Sequence, residues 1–217
     1  MGEQNQHLDA IEDIKQLMHK SSRFISLSGL SGVAAGSCAL IASWIAYNKI
    51  RQYGFHGRMD YNRARGTDIF NQSYRSLDIQ LLLLALLTFV AALILAFLFT
   101  YIRSRKSGVS IWDRTGRRVM VNVAVPIIVG GLVIYRMMNF GYYGLIAPAC
   151  LIFYGLGLIN ASKYTLQEIR YLGYCQLVLG ILNLWMIGYG LYFWAAGFGL
   201  LHIIYGIIMW NKYERNN

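Results

Sequence analysis

The chain has 217 residues, of which 56% are hydrophobic and 14% charged, and its mean hydropathy is +0.41. A water-soluble domain carries about 25% charged residues, so this composition excludes an ordinary soluble fold and points to membrane spans of about 20 apolar residues. The formal net charge of +10 could suit nucleic acid or an anionic membrane surface. The basic residues sit in connections between apolar runs and form no basic domain or helix face, so the membrane reading is favoured and no nucleic acid is expected.

Residues 1–24 read as a cytoplasmic N-terminal segment. Within it, 8–20 form a short amphipathic helix with Leu8, Ile11, Leu17 and Met18 on one side. Four acids, Glu3, Asp9, Glu12 and Asp13, precede the first lysine of the segment, which makes it a poor anchor for anionic lipid. The polar start, with Glu3 and Asp9 ahead of the first apolar run, does not resemble a cleavable signal peptide.

Six apolar runs follow over 25–211, at about 25–47, 79–102, 119–137, 142–161, 170–187 and 191–210. They are continuous, without period-two alternation, which predicts an all-α polytopic bundle and not a barrel. The loop 48–78 is expected to be extracytoplasmic. It interleaves Arg58, Arg63, Arg65 and Arg75 with Tyr53, Phe55, Tyr61, Phe70 and Tyr74, as a solvated loop, a lid or an anionic-ligand site would. The opposite loop carries Arg103, Arg105, Lys106, Arg114, Arg117 and Arg118, suited to anionic lipid headgroups. With 212–217 as a cytoplasmic tail, Lys and Arg number 13 on the side of both termini and seven on the other. The positive-inside rule then makes both termini cytoplasmic.

Ile152 to Asn160 reads IFYGLGLIN, and Ile203 to Asn211 reads IIYGIIMWN. The offset of 51 residues makes spans three-four and five-six two copies of one hairpin. Gly144, Pro148, Leu151 and Gly155 then overlie Ala195, Gly199, His202 and Gly206 as one helical stripe. Gly173 and Gly180 share a stripe of the fifth span with Gln176 and Asn183, and Ser28, Gly32 and Gly36 form a small-residue ridge on the first. All are candidate helix-packing positions, because small residues let backbones approach in lipid. Tyr154 and Tyr205 are expected to point away from the packing stripe, and Asn160 and Asn211 to lie near the inner interface.

A tight turn at Tyr189 brings Gln176 level with His202. With Asn183 they make a polar intramembrane seam, expected to be interhelical glue, with a ligand or conduction path as the alternative. Gln176 and His202 should lie within hydrogen-bond reach, directly or through one water. His202 should be neutral, since desolvation disfavours the charged ring.

The 120–214 hairpins resemble those of the HdeD-type envelope proteins linked to acid stress. The chain as a whole looks like small uncharacterised six-helix bacterial inner-membrane proteins. That resemblance implies an envelope or stress role and no catalytic residues. Gly29-Leu30-Ser31-Gly32 is similar to the G-x-S-G around the nucleophile of rhomboid intramembrane proteases. There it sits in the fourth helix, and here it sits in the first. A Ser31–His202 dyad is therefore the third reading, behind packing.

The ten carboxylates all fall outside the middles of the spans, against proton- or sodium-coupled transport. Cys38, Cys150 and Cys175 lie in apolar runs without metal-ligand spacing. No metal, cofactor or catalytic residue is expected. The leading expectation is a non-enzymatic structural or interaction protein of a bacterial inner membrane, binding lipid, a membrane-protein partner or its own copy. An uncoupled small-solute channel or facilitator is the alternative.

Overall fold

The computed structural model describes residues 28–52, 71–107 and 113–215. The expected helix at 8–20, the 53–70 part of the first loop and the last two residues lie outside them. The described residues are helical and contain no strand. Helix α1 is Gly29–Gln52, α2 Asn71–Ser107 and α3 Arg114–Asn139. A 3-10 turn at Tyr143–Leu145 leads into α4, Ile146–Ala161. Helix α5 is Glu168–Trp185. Helix α6, Gly190–Tyr213, is α-helical over Gly190–Trp194, π-helical over Ala195–Leu201 and α-helical again over His202–Tyr213.

Five of these helices are long and apolar enough to cross a membrane, all but α5, which makes the chain a multi-pass membrane protein. The second helix runs well past the expected 79–102, over 37 residues or about 55 Å at roughly 1.5 Å per residue. That exceeds the ~30 Å hydrocarbon core. The expected 48–78 loop is accordingly helical at both ends, because polar residues outside the hydrocarbon do not oblige a helix to stop.

The core is built on backbone-to-backbone contact between helices. A Cβ added at Gly173 of α5 would lie 2.7 Å from Ile159 Cγ1 and 2.9 Å from the Gly155 carbonyl oxygen of α4. One added at Gly180 would lie 2.7 Å from Ile152 Cγ1 and 3.1 Å from Ile152 N. Helix α1 meets α6 in the same way. At Gly29 a Cβ would stand 2.5 Å from Gly206 O and 2.8 Å from Trp210 Cα, and at Gly36 it would stand 2.7 Å from Ile203 Cγ1 and 3.0 Å from Ile203 N. The α6 residues touched are the α4 residues advanced by 51, and Gly29 and Gly36 are spaced as Gly173 and Gly180 are. A Cβ added at Gly32 would lie 3.1 Å from Gly206 Cα and one at Gly144 2.9 Å from Ile187 Cγ2, one at Gly199 would meet Leu40, and Ser28 and Pro148 are buried. The expected packing set is thus in close contact.

Its partners differ from expectation. The α5–α6 turn is tight, with Gly188 at φ +99°, yet α6 packs chiefly on α1, and α5 on α4. The glycine stripe of α5 is turned to α4 and that of α6 to α1, so the two do not face each other across their own hairpin. Helix α2 packs on α1 alone among the strong contacts, leaving Leu86, Leu87, Leu93 and Ile94 exposed, as suits lipid.

A buried polar seam between α4, α5 and α6

Heptad spacing on α5 carries Gln176 and Asn183 to the same buried side, and both are 0% exposed. Gln176 Nε2 donates to the Gly197 carbonyl oxygen at 2.8 Å, and His202 Nδ1 meets the same oxygen at 2.9 Å. Gly197 lies inside the π-helical stretch, a widened turn of the sort that recurs at functional positions. A Cβ there would stand 2.6 Å from Gln176 Oε1, so only glycine admits the glutamine. Gln176 and His202 are therefore level, as expected, and meet on a shared acceptor instead of on each other.

The second ring nitrogen of His202 has a partner that sequence reasoning missed. The Tyr154 hydroxyl lies 2.8 Å from Nε2. A carbonyl oxygen only accepts, so Nδ1 carries the proton, and on the neutral ring Nε2 accepts from the tyrosine O–H. Aromatic rings enclose the pair. Tyr154 and Phe198 have centroids 5.2 Å apart, Trp194 and Phe198 5.2 Å, and Phe198 and His202 6.1 Å with an interplanar angle of 21°. Tyr154 thus points into the seam, against expectation. It follows Phe153 and precedes Gly155 on α4, and the α6 helix passes on that side. The signal that could have found it is the Tyr-Gly pair repeated beside the only intramembrane histidine.

Other expected residues find separate tasks. Asn183 lies on the α5 face of Gln176 without bonding His202. Neither its Nδ2 nor its Oδ1 has a hydrogen-bond partner among the described residues, and the same holds for Gln176 Oε1 and the Tyr205 hydroxyl. Asn160 Nδ2 donates to Asn122 O of α3 at 3.2 Å. Pro126 inside α3 has no N–H for that carbonyl, and the asparagine of the neighbouring helix supplies the donor. Ser31 is buried and its hydroxyl donates to the carbonyl oxygen of Ser28, just before its own helix. The His202 ring is turned to α4 instead, so Ser31 and His202 form no dyad.

Ion pairs tie one end of the bundle. Arg103 of α2 meets Glu214 at 2.8 Å, and the same carboxylate accepts from Ser28 Oγ and from the first N–H of α1 at Gly29. Arg103 is thereby held inside the protein and not offered to headgroups. Arg105, Lys106, Arg114, Arg117 and Arg118 are exposed. Glu168 at the start of α5 pairs with Lys212 and accepts from the Tyr213 hydroxyl at 2.8 Å. Burial raises its pKa, but the bonds from Lys212 and Tyr213 outweigh that, and the carboxyl sits below its ordinary value. Among the described residues no cluster of ligating side chains could hold a metal ion.

Comparison with protein-family models, with curated proteins and with solved structures gives no match for this chain.

Proposed function

We propose that the chain is a non-enzymatic structural or interaction protein of a bacterial inner membrane, binding lipid or a protein partner within the envelope. The observation that carries this reading is the closed clasp at its centre. Tyr154 is engaged with His202, and His202 and Gln176 with Gly197, so the seam joins α4, α5 and α6 through bonds within the protein. The five exposed cations at one end suit anionic headgroups, each contributing about 1 kcal/mol near the surface. The positive-inside count places that end, with both termini, in the cytoplasm, and α5 then completes six spans. The matched contacts of α4–α5 and α6–α1 support α4 and α6 as equivalent helices, and a hairpin unit used twice, at helices three-four and five-six, rests on the 51-residue sequence offset. The likeness to the HdeD-type envelope proteins, and the envelope role that it implies, rest on the glycine spacing of the 120–214 hairpins.

An uncoupled channel or facilitator is the second reading, favoured by the unpartnered amide of Asn183. Liposome flux separates the two. The clasp reading expects permeability to water and small neutral solutes equal to that of empty liposomes, with Gln176→Leu and His202→Leu altering only stability. Flux above that baseline, lost in folded variants, establishes the path instead. A periplasmic reporter active at Asn217 would overturn the orientation.

A further inference from the structure

The basic residues at one end of the bundle fall into two groups that are held differently. Arg105 and Lys106 close α2, and the Arg105 guanidinium lies 5.3 Å from the ring centre of Tyr101 on the same helix. Arg114, Arg117 and Arg118 open α3 at spacings that put them on one face. Helix α3 runs beside α4, and the bond from Asn160 Nδ2 to the Asn122 carbonyl fixes the register between them. Arg118 lies one turn before Asn122, and just after Asn160 the chain turns toward α5 through Ser162, Lys163 and Tyr164. The two stretches meet, with the Arg118 guanidinium over the Tyr164 ring, 5.9 Å from its centroid. Arg170, in the first turn of α5, reaches back to the same connection and donates to Ser162 Oγ at 3.4 Å.

Three elements therefore carry exposed cations to one place, Arg114, Arg117 and Arg118 from α3, Lys163 from the connection and Arg170 from α5. Among the described residues none of them pairs with a carboxylate, because the ion pairs use Arg103 and Lys212. Asp113 is the nearest acid in sequence, and its Oδ1 is engaged with the Gly116 N–H at 2.6 Å as the cap of α3. Glu168 is held by Lys212 and the Tyr213 hydroxyl. Like charges gathered on a fold repel one another unless a countercharge is bound. The surroundings indicate what kind of countercharge fits. Directly past Arg118, α3 turns apolar, with Met120 and Val121 exposed, and directly past Arg170 the rings of Tyr171 and Tyr174 are exposed. Apolar side chains and tyrosines beside guanidinium groups are the setting of a headgroup at the edge of a bilayer. A soluble phosphate or a nucleic acid would leave that apolar surface uncovered.

From these observations we infer that the start of α3 and the α4–α5 connection form a site for one anionic phospholipid with two phosphates in its headgroup, of the cardiolipin type. The α3 arginines meet one phosphate, Lys163 and Arg170 meet the other, and an acyl chain lies along Met120 and Val121. Guanidinium groups suit phosphate oxygens because they donate two parallel hydrogen bonds. A headgroup with a single negative charge would leave most of these cations unmatched. The inference rests on the reading of the protein as a lipid binder and adds which lipid it takes and where. Sequence order groups the α3 arginines with Arg105 and Lys106, whereas the Arg118–Tyr164 contact groups them with Lys163 and Arg170.

The test is a titration of the full-length protein, in micelles of a neutral detergent, with cardiolipin and with phosphatidylglycerol at matched total charge, read as bound lipid by native mass spectrometry. The wild type should hold cardiolipin at least about fivefold more tightly, the equivalent of one further basic contact. Arg118→Gln combined with Lys163→Gln should abolish that preference. Arg105→Gln combined with Lys106→Gln removes the same charge from α2 and should leave the preference unchanged. All four side chains are exposed, so both double variants retain the fold. Equal binding of the two lipids by the wild type overturns the site and leaves the lipid-binding reading in place. A preference that falls equally in both double variants overturns the placement. No bound anionic lipid in the wild type overturns the site and the lipid-binding reading together.

Discussion

The two glycine contacts differ in what surrounds them, and the difference separates two jobs. Between α6 and α1 the approach is made by glycine and aliphatic groups, with Gly32 against Gly206 and Gly36 against Ile203. Between α4 and α5 the same approach carries Gln176 and Asn183. Glycine contact therefore brings the helices together in both, through dispersion and close packing where lipid offers no hydrophobic drive. The amides add selectivity on one side of one contact. Gln176 sets the rotation of α5 relative to the π-helical part of α6, because its amide has to reach the Gly197 carbonyl.

The largest effect is expected from blocking the contacts themselves. Gly36→Leu and Gly180→Leu each drive a side chain into the partner backbone. Each should cost more than about 3 kcal/mol, above the usual range for overpacking, and abolish the folded species in thermal unfolding. If one is tolerated and the other is not, the two contacts are not equivalent.

A second pair tests the ends of the repeated motif. Asn160 serves Asn122 O, whereas Asn211 accepts only from exposed Arg215. Asn160→Leu should cost about 1 kcal/mol by leaving the half-buried Asn122 carbonyl without a donor. Asn211→Leu should change stability by less than about 0.5 kcal/mol. Pro126→Ala restores a backbone donor, so the cost of Asn160→Leu should shrink in that background, read as a double-mutant cycle.

Replacing His202 with leucine copies Leu151 of the other helix and makes the two more alike. The variant should fold, with stability changed by no more than about 1–2 kcal/mol in either direction. The loss of the Tyr154 bond offsets the relief of burying one polar ring fewer. A variant that does not fold would show that the glycine contacts do not hold the bundle together without the clasp.

The smallest effect lies where α5 begins, a place that α1 matches with the Glu214 carboxylate instead. Glu168 has a folded pKa below its unfolded value. Its pairing therefore stabilises the fold above the ordinary carboxylate range and is lost as pH falls through the lowered value. Thermal stability should decline on acidification from about pH 5 to about pH 3, and part of that decline should vanish in Lys212→Met. Lys212 is exposed, so solvent screening keeps the change small.

Much of this was legible from the residues. Continuous apolar runs located the helices to within a few residues except at α2. Small residues at helical spacing named positions that the structure finds in close contact. The depth match of Gln176 and His202 followed from counting back from the turn. Hidden from sequence were the partner of Tyr154, the donor that Asn160 provides and the capping of α1 by Glu214. Each joins residues at least 38 positions apart, and local spacing carries no information about which distant helix a face will meet.

The sequence by itself determined that the chain is all-helical, that it is apolar enough to enter a membrane, and which helix faces can approach closely. Those properties follow from local periodicity and side-chain volume, which any segment carries with it. Only the tertiary structure decided that the stripe of α6 takes α1 and that of α5 takes α4. Two small-residue stripes are interchangeable by composition. Turn geometry and the shape of neighbouring side chains choose between them, and those exist only once all the helices are assembled.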